Sequence, residues 1–110
     1  MPGFNLFSPK TQGTVTITSA VTTANVALGI AAIGPQTIVR VKNIDATNAT
    51  FINFGTSSVT ATLPSGGTGG SMPIGPGETA GFTIGPTVTH VAAICAAGTP
   101  IVYFTPGEGI

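Results

Sequence analysis

Charge is what this sequence has least of. Three Lys or Arg and three Asp or Glu are spread over 110 residues, 5% of the chain, for a formal net charge of zero; soluble domains carry about a quarter. That scarcity excludes the basic footprint of a nucleic-acid binder and the polybasic patch of a membrane-surface protein. A lone soluble monomer also keeps a mixed, net-charged surface, so much of this surface is expected to be covered by other protein. Cysteine occurs once, as Cys95, which excludes an intrachain disulfide framework. Long apolar runs are missing too: the most hydrophobic window, VALGIAAIG at 26 to 34, is about half a bilayer span and meets Pro35. The first ten residues, MPGFNLFSPK, lack the basic, apolar and small-residue succession of a signal peptide, so synthesis in a reducing cytoplasm is expected. Disorder is excluded in turn, because hydrophobic residues make up 42% of the chain, too many for a segment that fails to collapse.

Period-two alternation of β-branched and aromatic residues is what fills the chain instead, and no window sustains a helical period. In GTVTITS, Val15 and Ile17 face inward and Thr14, Thr16 and Thr18 outward; in TIVRVKN, Val39 and Val41 oppose Arg40 and Lys42. Further strands are expected near 22 to 28, 48 to 54, 57 to 63, 79 to 84, 88 to 95 and 99 to 105. A short helix competes at 26 to 34, limited by Gly29 and Gly34. Turn signals separate the strands at Gly34-Pro35, at 45 to 48, at Gly55, over 64 to 77, at Gly85-Pro86 and at Ala97-Gly98. The expected fold is all-β, an antiparallel β-sandwich or jelly roll of about eight short strands over 13 to 110. Before it, residues 1 to 12 read as an extended N-terminal arm, with Phe4, Leu6 and Phe7 between Pro2 and Pro9. These apolar residues either fold back over the sandwich or dock on a neighbouring subunit.

Chemistry is hard to assemble from what remains. The Gly- and Pro-rich stretch SGGTGGSMPIGPGETAGFTIGP at 65 to 86 has no Lys or Arg and no helix after it, so it reads as a loop leading into a strand rather than a phosphate cradle. His90 and Cys95 are the residue types of an acyl-transfer pair, but five positions apart on one strand they point to opposite faces. Asp45, Glu78 and Glu108 stand singly, the two glutamates each after an expected Pro-Gly turn, Pro76-Gly77 and Pro106-Gly107, without the spacing of a zinc site or the facing carboxylates of a glycosidase. NIDATN at 43 to 48 reads as a turn before a calcium loop, and NAT at 48 to 50 matches a glycosylation acceptor only in form. No catalytic residue, metal or cofactor is expected. Arg40 and Lys42 share a strand face that either meets carboxylates of a partner or is solvated.

Three stretches taken together, VRVKNIDATNATFINFGTSSVTAT, SMPIGPGETAGFTIGP and THVAAICAAGTPIVYFTPGEG, resemble small virion proteins of tailed bacteriophages, the decoration or cement proteins. The resemblance spans residues 36 to 109 and rests on turn and strand patterns. It implies a non-enzymatic sandwich protomer on the outer surface of a capsid. Its partners would then be the major capsid protein and copies of itself, as dimer or trimer, with no nucleic acid and no membrane. Phe4, Leu6, Phe7, Arg40 and Lys42 are the expected capsid or subunit contacts. The alternative is a low-copy head fibre, tail or receptor-binding component of the virion, against which the lack of Trp and the single Tyr103 weigh, since sugar sites favour such aromatics.

Overall fold

A computed structural model describes residues 7–29 and 37–108. Its described residues form nine strands and no helix: β1 (Ser8–Pro9), β2 (Val15–Thr18), β3 (Ala24–Ala27), β4 (Thr37–Asn43), β5 (Thr50–Gly55), β6 (Met72–Ile74), β7 (Thr79–Thr83), β8 (His90–Ile94) and β9 (Ile101–Glu108). All pairings are antiparallel. One sheet runs β1-β9-β4-β7 with β2 also on β9; the other runs β3-β8-β5-β6.

The pairings β2–β9, β3–β8, β4–β7 and β5–β6 nest inside one another. The chain is thus one long hairpin, doubled at the β5–β6 connection and rolled so that β4–β9 and β5–β8 close the two sheets. This is the jelly-roll order of strands. Alternation sets the core as expected. Val39, Val41, Val102 and Phe104 from one sheet meet Ile52, Val91 and Ala93 from the other, with Ile17, Leu28, Ile74 and Ile84 around them, all buried. Phe54 and Phe82 pack with ring centroids 5.6 Å apart.

Three expectations need correction. Residues 57 to 63 are not a strand. They cross the outer face of the second sheet as a strap, with their backbone groups bonded to side chains: Asn25 Nδ2 donates to Ser57 O and Val59 O, Asn53 Nδ2 to Thr60 O, and Ala61 N to Thr23 Oγ1. Beneath the strap lies Ala92, in register with both Asn25 and Asn53 and fully buried. Secondly, the stretch 64 to 77 is not all loop, because Met72–Ile74 pairs with β5. Pro73 is tolerated there because β6 is an edge strand. The turn that follows is as its sequence demands: Glu78 N donates to Gly75 O at 3.0 Å, Pro76 takes the second position and Gly77 the third at φ 72°, a type II turn.

Thirdly, Pro106 and Gly107 do not turn the chain but continue β9. Asn43 N to Glu78 O and Ile84 N to Thr37 O mark the hydrogen-bonded positions between β4 and β7. By alternation Val39 also directs its backbone to β7, so Pro106, which faces Val39, needs no N–H on that side. Of the short-helix alternative at 26 to 34, Val26 and Ala27 lie in β3 and 30 to 34 fall outside the described residues.

Candidate functional site

Three of the expected contact residues, Phe7, Arg40 and Lys42, lie at the outer face of the first sheet. Register places Arg40 between Thr105 of β9 and Gly81 of β7, and Lys42 between Tyr103 and Thr79. Both cations are exposed, and both have partners in their own chain. Lys42 Nζ donates to Gly77 O at 2.9 Å, which fastens the type II turn to the sheet. The Arg40 guanidinium stands 4.7 Å from the centroid of the Phe7 ring, a cation–π contact of about 0.5–1 kcal/mol at an exposed site.

Phe7 reaches that position through β1, which pairs Ser8 with Glu108 and Pro9 with Gly107, while Lys10 N donates to Pro106 O at 2.8 Å. A Cβ on Gly107 would lie 2.9 Å from Phe7 Cζ and against the Ser8 backbone, so only glycine admits the arm at this point. Residue 7 is therefore brought back over its own sheet. Phe4 and Leu6 lie outside the described residues.

Beside Arg40 a groove of about 390 Å³ runs along β7, lined by Ile38, Arg40 and residues 79 to 83. Apart from the Arg40 guanidinium its lining carries no charge. β7 itself was expected as a strand, but not as an edge of this face. The signal in the sequence was TAGFT, an alternation whose outward positions are Thr, Gly and Thr.

The residues weighed for chemistry are dispersed. Cys95, just past the end of β8, is buried and its thiol donates to Gly98 O at 3.4 Å. His90 lies at the other end of β8, half-buried, with Nδ1 2.8 Å from Thr89 Oγ1. Asp45 is the hub of a turn: Oδ2 accepts from Thr47 N at 3.0 Å, Thr47 Oγ1 at 3.3 Å and Asn48 N at 2.7 Å. These bonds, first that of Asn48 N–H and then that of Thr47 N–H, hold its carboxyl below the usual aspartate value. Glu78 Oε1 accepts from Gly75 N within the type II turn. No group of three or more metal-ligating side chains occurs among the described residues.

No protein-family model matches the sequence, and no curated protein is similar to it. Among solved structures, a chain from one described as "Bacillus endospore appendages form a novel family of disulfide-linked pili" is 20% identical. The match covers 100% of this chain and 94% of that one, with a TM-score of 0.49. A likeness at that level carries no argument about this chain.

Proposed function

We propose that this chain is a non-enzymatic structural protein of a bacteriophage virion, which binds the outer surface of the capsid and stabilises it. Its partners in this reading are the major capsid protein and further copies of itself. The observation that carries the reading is the outer face of the first sheet. There the arm is delivered through β1, Phe7 is seated under Arg40, and the neighbouring edge strand is free of charge. Two features of the whole chain agree with it. Six charged side chains in 110 residues leave a surface suited to burial against protein, and the jelly roll is a build that viral shells use repeatedly, though a fold alone does not assign a function.

In this reading Phe4, Leu6 and Phe7 grip a neighbour, while Arg40 orients the arm and Lys42 holds the adjacent turn. Replacing Phe4, Leu6 and Phe7 together with Ser tests it. The isolated variant is expected to melt within a few degrees of the parent, because its core lies elsewhere, and its occupancy on particles is expected to fall at least tenfold. Unchanged occupancy would remove the arm from the account.

A further inference from the structure

We propose that β7 is a self-pairing edge, at which two copies join antiparallel about a two-fold axis through Gly81 and extend the first sheet from one molecule into the next. The inference stands apart from the capsid reading.

Exposed edge strands are normally defended by charge, proline, shortness or a covering segment. The other edges here have such defences. β1 and β6 are two and three residues long and contain Pro9 and Pro73. β2 and β3 have four residues each and pack against one another where the chain turns from one sheet to the other; β3 is also tied to the strap through Asn25. β7 is the longest edge strand described, with five residues, and it has no charge, no proline and no covering segment among the described residues.

Its backbone is presented correctly for pairing. The bonds Asn43 N to Glu78 O and Ile84 N to Thr37 O fix the alternation, so Ala80 and Phe82 bond to β4. Thr79, Gly81 and Thr83 therefore direct their N–H and C=O groups away from it. A two-fold axis at Gly81 sets Gly81 against its own copy and Thr79 against Thr83 of the second copy, so the outward groups of each strand meet those of the other. The side chains match in the same register. Thr79 and Thr83 form a Thr–Thr pair on the outer face, a favourable cross-strand combination. On the inner face, half-buried Ala80 and Phe82 meet Phe82 and Ala80 of the second copy. Each Arg40 lies one strand behind its Gly81, so the two guanidiniums are about 14 Å apart across the four strands, beyond the screening length of about 8–10 Å. No like charges oppose the contact.

Five residues of strand make a small interface, at the low end of specific contacts. The pair is expected to populate at about 100 µM and above, and more fully wherever a larger assembly holds copies side by side. Sedimentation of the full chain up to about 1 mM tests it, with Gly81→Lys and Gly81→Glu as probes. A Cβ at Gly81 meets only Ile38 Cγ2, at 3.7 Å, so both variants have room in the monomer. There Gly81→Glu faces Arg40 as an opposite charge and Gly81→Lys as a like one, and melting of each variant checks that it folds. In a pair each sets like charges face to face on the axis. The parent is expected to dimerise, each variant alone to bind itself at least tenfold more weakly, and an equimolar mixture of the two to recover the dimer. A parent that stays monomeric throughout would overturn the proposal. So would a dimer that both variants leave intact, or one lost on deleting residues 1 to 6 but not on substituting Gly81.

Discussion

Asn43 closes β4, and its side chain does more bonding than any other in the core. It is fully buried. Nδ2 donates to Asn48 O at 2.9 Å and to Ile74 O at 3.2 Å, and Oδ1 accepts from Asp45 N at 3.0 Å. One amide thus ties the β4–β5 turn to β6 in the opposite sheet. Replacing Asn43 with Ala removes three bonds: Asp45 N loses its side-chain acceptor, Asn48 O a donor, and Ile74 O its second donor, since its pairing with Thr50 in the sheet remains. Ile74 is fully buried, but its carbonyl keeps the sheet bond from Thr50 N, so the loss there is that of one net hydrogen bond, about 0.5–1.5 kcal/mol. Asn48 and Asp45 are half-buried and relax toward water, each at about 0.5–1 kcal/mol. The expected loss is about 2 kcal/mol, or roughly 8 °C in Tm for a chain of this size. Chemical denaturation of the purified chain measures it, with Asn53→Ala as the control. Asn53 is exposed and its side chain makes one bond, to Thr60 O at 3.1 Å, so its loss is expected to be within about 1 kcal/mol. Asn43→Asp sharpens the test, because at neutral pH it turns a carboxylate toward the carbonyls of Asn48 and Ile74, and acidification restores a donor. Asn43→Asp is thus expected to regain stability relative to Asn43→Ala as pH falls. The reasoning is refuted if Asn43→Ala costs no more than Asn53→Ala.

Two other perturbations follow from the same geometry. Ala92→Leu forces a larger side chain under the strap and is expected to cost about 1–3 kcal/mol and to open 57 to 63 to limited proteolysis; an unchanged cleavage pattern would contradict that placement. Asp45 has its carboxyl lowered from 3.8 by the N–H groups of Asn48 and Thr47, so the folded state binds this proton less readily than the unfolded chain. Its contribution to stability is present above pH 3.8 and is lost as pH falls through the lower folded value. The gap in Tm between the parent and Asp45→Asn is therefore expected to shrink below pH 3.8, and a constant gap from pH 7 to pH 2 would refute the assignment.

Much of the sandwich was legible from alternation alone. The pattern of TIVRVKN matches its burial residue for residue. The strap misled for a physical reason. Val59, Ala61 and Leu63 do alternate inward, but they cover a sheet face, and the bonds that hold them come from Asn25, Asn53 and Thr23. Nothing local distinguishes such a segment from a strand. Pro73 hid β6, since the residue that marks it as an edge also reads as a breaker. Pro106-Gly107 read as a turn because their reasons for staying extended, β1 and Phe7, lie about a hundred residues away in sequence. The nested pairing was also out of reach, because it consists of contacts between the two ends of the chain. At the candidate site, Arg40 and Lys42 were visible as a pair on one face, whereas the Phe7 ring under Arg40 and the Gly77 carbonyl at Lys42 depend on the fold.

In the role proposed above, this chain would be present across the capsid surface. Quantitative mass spectrometry of purified particles, giving copies of this chain per copy of the major shell protein, tests it most directly. The account predicts a ratio near one or a simple fraction of it. A dozen or fewer copies per particle would contradict surface decoration and favour a head fibre, tail or receptor-binding part, and complete absence from particles would contradict any virion role.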